Sequence, residues 1–245
     1  MPDGCPELIV HLGDPFARWT SERWVVQPRA FLAGTITRPW LLRPGRRVST
    51  MSVRLRAGAA TALFRLSMAD ASDRELPLID LVGRPAVGSL MRGLRRARTT
   101  EGRFVVASEW LKARLAQAPP RRDGARDAVD LIVQARGQVR IDDVSRSLGW
   151  SRRRMQRAFA RDLGVPPKLY ARIVRLNAVL ATLDEDERAR AVDLALDAGY
   201  FDQAHLLRDF RILAGRTPRA GRAADGEMAR HFTHPERLKA LLAGE

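Results

Sequence analysis

One pattern occurs twice in this chain at a fixed separation. Arg157, Phe159, Gly164 and Pro167 are matched by Arg208, Phe210, Gly215 and Pro218, each pair 51 positions apart. A constant offset across a cation, an aromatic, a glycine and a proline marks a duplicated supersecondary unit rather than a bias of composition. Each copy closes a short helix, a glycine-aromatic turn and a second helix with a polar outer stripe. A helix pair of that shape fits the major groove of duplex DNA. The duplication limits the second half of the chain to a helical tandem.

Helical spacing fills in both copies. Residues 127–135 read as an opening helix. Ile141, Val144 and Leu148 then recur at i, i+3 and i+7 as one apolar stripe. Gly149 and Trp150 break that helix, and Ser151 is a suitable N-cap for the next. In the helix from Arg152, Met155 and Phe159 share the inner face. At about 100° per residue, Arg153, Gln156, Arg157 and Ala160 fall on the opposite one. Pro166 and Pro167 start a further helix, in which Leu169, Ile173, Leu176, Leu180 and Leu183 keep helical spacing. The acidic run 184–187 ends that helix or caps the next. The second copy takes residues 191–198, the turn Gly199, Tyr200 and Phe201, and a helix capped by Asp202. Its inner face is Leu206, Phe210 and Leu213, and its outer face Ala204, Leu207, Arg208 and Arg211. Beyond Arg219 the chain is rich in Gly, Ala and charge, with a short amphipathic stretch at 235–242.

The first half has strand character to about residue 85. Residues 8–12 (LIVHL) form an apolar run stopped by the turn signal GDP at 13–15. Residues 24–26, 30–32 and 48–55 follow, with Val53 and Leu55 alternating with Arg54 and Arg56 as in a strand with one solvated face. Short strands at this spacing predict a small β-barrel or sandwich. Helical patterns at 88–98 and 108–117 come next, and APPRRDG at 118–124 is the best domain boundary. The expected fold is therefore multi-domain α+β. A β-rich domain with two helices spans 1–117, a linker 118–124, an all-α tandem with a linker helix 125–219, and a tail 220–245.

Composition supports a polyanionic partner only in part. The chain carries 43 basic and 28 acidic residues, a formal net charge of +15. Lys112, Lys168 and Lys239 are its only lysines, so GC-rich coding explains an Arg- and Ala-rich chain as well as selection does. Where the charge sits is the stronger argument. Cys5 is the sole cysteine, which rules out an intramolecular disulfide or a cysteine zinc site. No apolar run approaches the ~20 residues needed to span a bilayer, and the start lacks a secretory signal. The chain reads as soluble and cytoplasmic, without membrane association. His11 is the one histidine of four in the first half, so no metal site, catalytic residue or cofactor is expected.

Arg pairs bidentately with guanine edges and Gln with adenine, which suits Arg153, Gln156, Arg157, Gln203 and Arg208. Arg152, Arg154, Arg161 and Arg211 are placed for phosphates. His205, beside the same stripe, reads as a helix-end or backbone contact. An Arg-coated helix facing water is the bland alternative, and the duplication weighs against it. Residues 199–210 (GYFDQAHLLRDF) and the exit GRTP at 215–218 resemble the signature of the AraC/XylS-type transcriptional regulators, and the likeness extends over about 125–219. That resemblance implies two recognition helices, joined by a long helix, entering adjacent major-groove segments on one face of promoter DNA. It assigns base reading to Arg153, Gln156 and Arg157, and to Gln203, Ala204, Leu207 and Arg208. Ala204 and Leu207 then meet thymine methyls, or the second unit contacts mainly phosphate. Contact with RNA polymerase also follows, as monomer or homodimer.

Residues 1–117 resemble the cupin-like β-barrel sensor domains that precede this tandem in many such regulators. The segments 2–8 (PDGCPEL), 12–15 (LGDP) and 31–34 (FLAG) carry the likeness. Such domains open with further residues, which implies a missing edge strand or a native start upstream of Met1. The resemblance also implies a small-molecule effector. Phe16, Trp19, Trp24, Phe31 and Trp40 could line an apolar pocket with Arg38 or Arg43 orienting an anion, and core packing explains the same aromatics. Two other classes compete with a sequence-specific regulator. A DNA-directed alkyl-transfer repair enzyme needs a reactive cysteine, which a lone Cys5 near the terminus argues against. A non-specific architectural protein needs only the positive charge.

Overall fold

A computed structural model describes residues 1–118, 124–185 and 195–215 of the chain. The β-rich half contains β1 (Glu7–His11), β2 (Ala17–Trp19), β3 (Trp24–Val26), β4 (Ala30–Ala33), β5 (Leu42–Arg43), β6 (Thr50–Arg54) and β7 (Glu75–Pro77). They form two antiparallel sheets, one of four strands in the order β6-β1-β4-β7 and one of three in the order β3-β2-β5. The register places Leu8 against Leu32 on one side and Val53 on the other. Every residue of β4 is buried, so both faces of this central strand are covered. Leu8, Val10 and Leu32 face a core with Leu63, Leu78, Leu90 and Leu94. Phe31 turns to the opposite face, where its ring lies 5.8 Å from that of His11. Arg54 is not the solvated residue its alternation predicted. Its guanidinium is partly buried and pairs with Asp3 at 2.7 Å.

The helices of this half are α1 (Ala59–Phe64), a 3-10 turn at Met68–Asp70, α2 (Leu78–Arg96) and α3 (Thr100–Leu115). Both long helices start earlier than their sequence patterns, at 78 rather than 88 and at 100 rather than 108. Pro85 and a kink at Gly83 lie inside α2 and hide its first turns. Thr99 caps α3 by accepting from the Gly102 N–H.

The second half is helical from α4 (Arg126–Gln134) through α5 (Ile141–Ser147), α6 (Arg152–Leu163) and α7 (Pro167–Glu185). Residues 195–197 are helical. Then comes α8 (Gln203–Asp209), which runs into one π-helical turn at Phe210–Ala214. Two cores lie side by side. Ile132, Val144, Met155, Phe159 and Tyr170 fill the first, and Ile173, Leu176, Leu206, Phe210 and Leu213 the second. The linker helix α7 contributes to both, with Tyr170 in one and Ile173 and Leu176 in the other. Its 19 residues make a spacer about 28 Å long. The acidic run past residue 185, the start of the second unit at 191–194, the Pro218 exit and the tail fall outside the described residues.

The two halves are joined by polar contacts. The Gly58 N–H donates to the Asp162 carbonyl at 3.4 Å, while the Asp162 carboxylate, with no exposed surface, is held within the tandem by the Ala125 N–H at 2.8 Å and Arg161 Nε at 2.9 Å. Ser72 Oγ donates to the Gly164 carbonyl at 2.7 Å, and Thr61 Oγ1 to that of Arg161 at 3.0 Å. At the other side of the tandem, Asn177 Nδ2 donates to the Pro2 carbonyl at 3.2 Å. Gly4 lies flat on Tyr170, where a Cβ would come within 2.7 Å of the ring. The end of α6 and the middle of α7 are therefore seated on the β-rich half.

Candidate nucleic-acid interface

The residues that build each unit occupy equivalent places. Ser151 caps α6 by accepting from the Arg154 N–H, and Asp202, 51 positions on, caps α8 by accepting from the His205 N–H. Both helices end on a glycine in the left-handed region, Gly164 at φ 76° and Gly215 at φ 68°. Met155 and Phe159 are buried, as are Leu206 and Phe210. The inner faces read from the sequence are thus the inner faces of the fold.

The outer faces carry the expected groove-reading side chains. Arg153, Gln156, Arg157 and Ala160 of α6 are exposed, as are Gln203, Ala204, Arg208 and Arg211 of the second helix. Leu207 and His205 are half-buried. Among the described residues Arg153, Arg157, Arg208 and Arg211 have no carboxylate partner. Other cations are engaged. Arg152 makes a two-pronged ion pair with Asp142, at 2.9 Å from Nε and 2.7 Å from Nη2. Arg154 stacks over Trp150 at 4.6 Å. Arg161 pairs with Asp162 of its own helix, and it meets the β-rich half through its carbonyl, which accepts from Thr61, and through the pocket lining it shares with Thr61 and Arg65. It is half-buried at that junction rather than on the stripe of Arg153 and Arg157, which corrects its reading as an open phosphate contact.

The spacing between units is set by side chains that the sequence pattern did not single out. Arg175 on α7 donates to the Gly137 carbonyl in the first unit at 2.8 Å and to the Gly199 carbonyl in the second at 3.3 Å. Gln138 Nε2 reaches across to the Asp197 carbonyl at 2.8 Å. Arg172 pairs with buried Asp209 at 2.7 Å. Lys168, Arg172 and Arg175 stand at i, i+4 and i+7, so a basic stripe on the linker helix was legible from spacing.

The expected ligand residues of the β-rich half fall into two groups, one in the core and one on the three-stranded sheet and its flanks. Phe16 and Phe31 are core residues around His11. Trp19, 40% exposed, stacks on Trp24 at 5.5 Å. Arg43 covers Trp24 and Arg18 covers Trp40, each at 4.6 Å. Arg38 is exposed. Trp24 and Trp40 thus each pair with an arginine on the three-stranded sheet and its flanks. His11 is held by Thr50 and Gln27, each at 3.2 Å, and burial lowers its pKa. With Nε2–H donating to Gln27 Oε1, Nδ1 accepts from the Thr50 hydroxyl, which is the neutral ring. Burial and the neighbouring Asp3 push the Cys5 thiol far above the usual thiol range, so it stays protonated.

Two capped helices of one design, both presenting polar outer faces and both held by a shared linker helix, define a tandem helix-turn-helix protein. Residues 144–224 match the family described as a helix-turn-helix domain, and residues 1–77 match a domain of unknown function (DUF6597). Over 68 residues the chain is 31% identical to an uncharacterized HTH-type transcriptional regulator, YbfI of Bacillus subtilis. That stretch is 28% of this chain and 24% of YbfI, so the chain spans about a quarter of the length of that relative. Two solved structures of ToxT from Vibrio cholerae align over 89% and 90% of this chain and 88% and 90% of theirs. Their sequence identities are 10% and 9%, and their TM-scores 0.48 and 0.46. Among the described residues no helix is long and apolar enough to cross a membrane.

Proposed function

We propose that this chain is a sequence-specific DNA-binding transcriptional regulator that places α6 and α8 in adjacent major-groove segments of promoter DNA. The observation that carries it is the pair of exposed outer faces on helices of one design, held at a fixed spacing by α7. Arg153, Gln156 and Arg157 read bases in the first segment. Gln203, Ala204, Leu207 and Arg208 lie over the second, with apolar Ala204 and Leu207 against thymine methyls. Arg152, His205 and Arg211 flank these stripes and position the backbone. The chain divides at 118–124, and 1–117 serves as the sensing part, through which a small-molecule effector or RNA polymerase acts. It works as monomer or homodimer, in the cytoplasm. The protonated Cys5 thiol supports a regulator over an alkyl-transfer enzyme, since transfer needs the thiolate.

Selection of bound sites from random duplexes, followed by sequencing, tests the reading. Two short motifs about one helical turn apart are expected, and a pool without enrichment would refute it. Replacing Arg157 by Ala should cost about 1–3 kcal/mol on the selected site and relax preference at one base pair. Unchanged affinity in a folded variant would remove Arg157 from the reading set.

A further inference from the structure

The side chains between the two units enclose a cleft that the base-reading stripes do not account for. Its volume is about 620 Å³, and its walls come from α5, the start of α6, the first half of α7 and α8. Arg140, Lys168, Arg172 and Arg175 line it, and His205 closes it from the second unit. Asp142 is the one carboxylate in the lining, and the Arg152 guanidinium already satisfies it. Asp209, which is buried, engages Arg172 from behind. Arg140 and Lys168 have no acidic partner among the described residues.

One further group points to an acceptor that is supplied from outside. Ser145 lines the same cleft, is 4% exposed, and has an Oγ without any hydrogen-bond partner. Leaving a buried hydroxyl unmatched costs about 1–3 kcal/mol. A small cluster of donors, two of them cations without an acidic partner among the described residues, calls for an anion rich in acceptor oxygens.

We infer that this cleft is a phosphate site, which grips the DNA strand where it crosses between the two major-groove segments. The inference rests on the proposed reading that α6 and α8 both enter the groove. Gln156 of α6 and His205 of α8 both lie on the cleft, so a duplex contacted by both helices runs across its mouth. Lysine suits that place, since an ammonium acts on phosphate as a point charge without a fixed angle. The contact carries no sequence information and sets register instead.

The test compares wild type with the double variant Lys168→Gln, Arg140→Gln, on a selected duplex and on a random one, from 50 to 200 mM salt. Both side chains are exposed, and circular dichroism melts check that the fold is kept. Each neutralised phosphate contributes about 0.9 to the salt slope. The variant slope should therefore fall by about 1 to 2 on both duplexes, so that wild type loses about three- to twelvefold more affinity across that range. The preference for the selected site should be unchanged. A duplex with one uncharged methylphosphonate linkage between the two motifs should weaken wild type and leave the variant unaffected. Ser145→Ala should lower affinity several-fold without altering the slope. An unchanged slope in the variant overturns the site while the regulator reading stands. A slope that falls only on the selected duplex also overturns it, since the cations would then be reading bases. If wild type shows no enriched sites, the regulator reading fails, and the phosphate site fails with it unless the random duplex still shows the slope change.

Discussion

Two glycines in the first unit share one backbone conformation and differ in what surrounds them. Gly149 sits at φ +64° with nothing within 4 Å of the position its Cβ would take. Gly164 sits at φ +76°, and a Cβ there would lie 2.1 Å from Ser72 Oγ and 2.3 Å from the Met68 carbonyl oxygen. Gly149→Ala therefore measures the left-handed penalty alone, about 1–2 kcal/mol. Gly164→Ala carries that penalty plus an overpacking cost of about 1–3 kcal/mol. It also disrupts the Ser72–Gly164 hydrogen bond, a further loss of about 0.5–1.5 kcal/mol. The second variant should be about 1.5–4.5 kcal/mol less stable than the first. The difference belongs to the junction between the halves and not to the helix end. Urea unfolding of the full chain, followed by circular dichroism and tryptophan fluorescence, reads both values. Removing the hydroxyl by Ser72→Ala in the Gly164→Ala background should recover little, because the Met68 carbonyl oxygen, 2.3 Å from the Cβ position, is backbone and cannot swing aside. If the two glycine variants agree within about 0.5 kcal/mol, a level at which independent sites are indistinguishable, the β-rich half does not bear on α6 as described.

Further outcomes follow from single buried groups. Phe159→Ala and Phe210→Ala should each destabilise their own unit by about 3–5 kcal/mol, read by urea unfolding; a fully stable variant would show that the aromatic is not core. His11 has a folded pKa below its usual value of about 6.5, so the unfolded chain binds the extra proton first. Stability should be level above pH 6.5 and fall as pH drops from there toward the folded pKa. His11→Gln should flatten that limb, and an unchanged pH profile would deny the neutral buried ring. Cys5 should react with iodoacetamide far more slowly in the native protein than in urea, because the thiolate is the nucleophile; equal rates would contradict the raised thiol pKa.

What the sequence revealed and what it hid divide along a physical line. The framework of the tandem was legible because it is local. Caps such as Ser151 and Asp202, apolar stripes such as Met155 and Phe159, and the linker helix from Pro167 all follow from periodicity within a few turns. In the β-rich half the runs at 8–12, 24–26 and 30–32 became β1, β3 and β4, since each is an apolar run bounded by turn residues. The strands β2, β5 and β7 have three, two and three residues, too few for any period, and exist because β3, β2 and β4 respectively offer them partners. Contacts set by distant neighbours were hidden in the same way. Arg152 and Arg161 look alike in an Arg-rich helix, yet one is paired with Asp142 on α5 and the other sits at the junction with the β-rich half. Nothing local marks Asp162 as buried, and nothing marks Gly164 as a seat for the Ser72 hydroxyl. The same reasoning bears on the duplicated pattern. Repetition kept Phe, Gly and the caps because each unit needs them to fold alone. Positions that face the other unit or the β-rich half are free to differ, as Asp162 does from Leu213, and Ala158 from Asp209. The residues that break the 51-residue correspondence are therefore the ones to examine for how the two units and the first half act together.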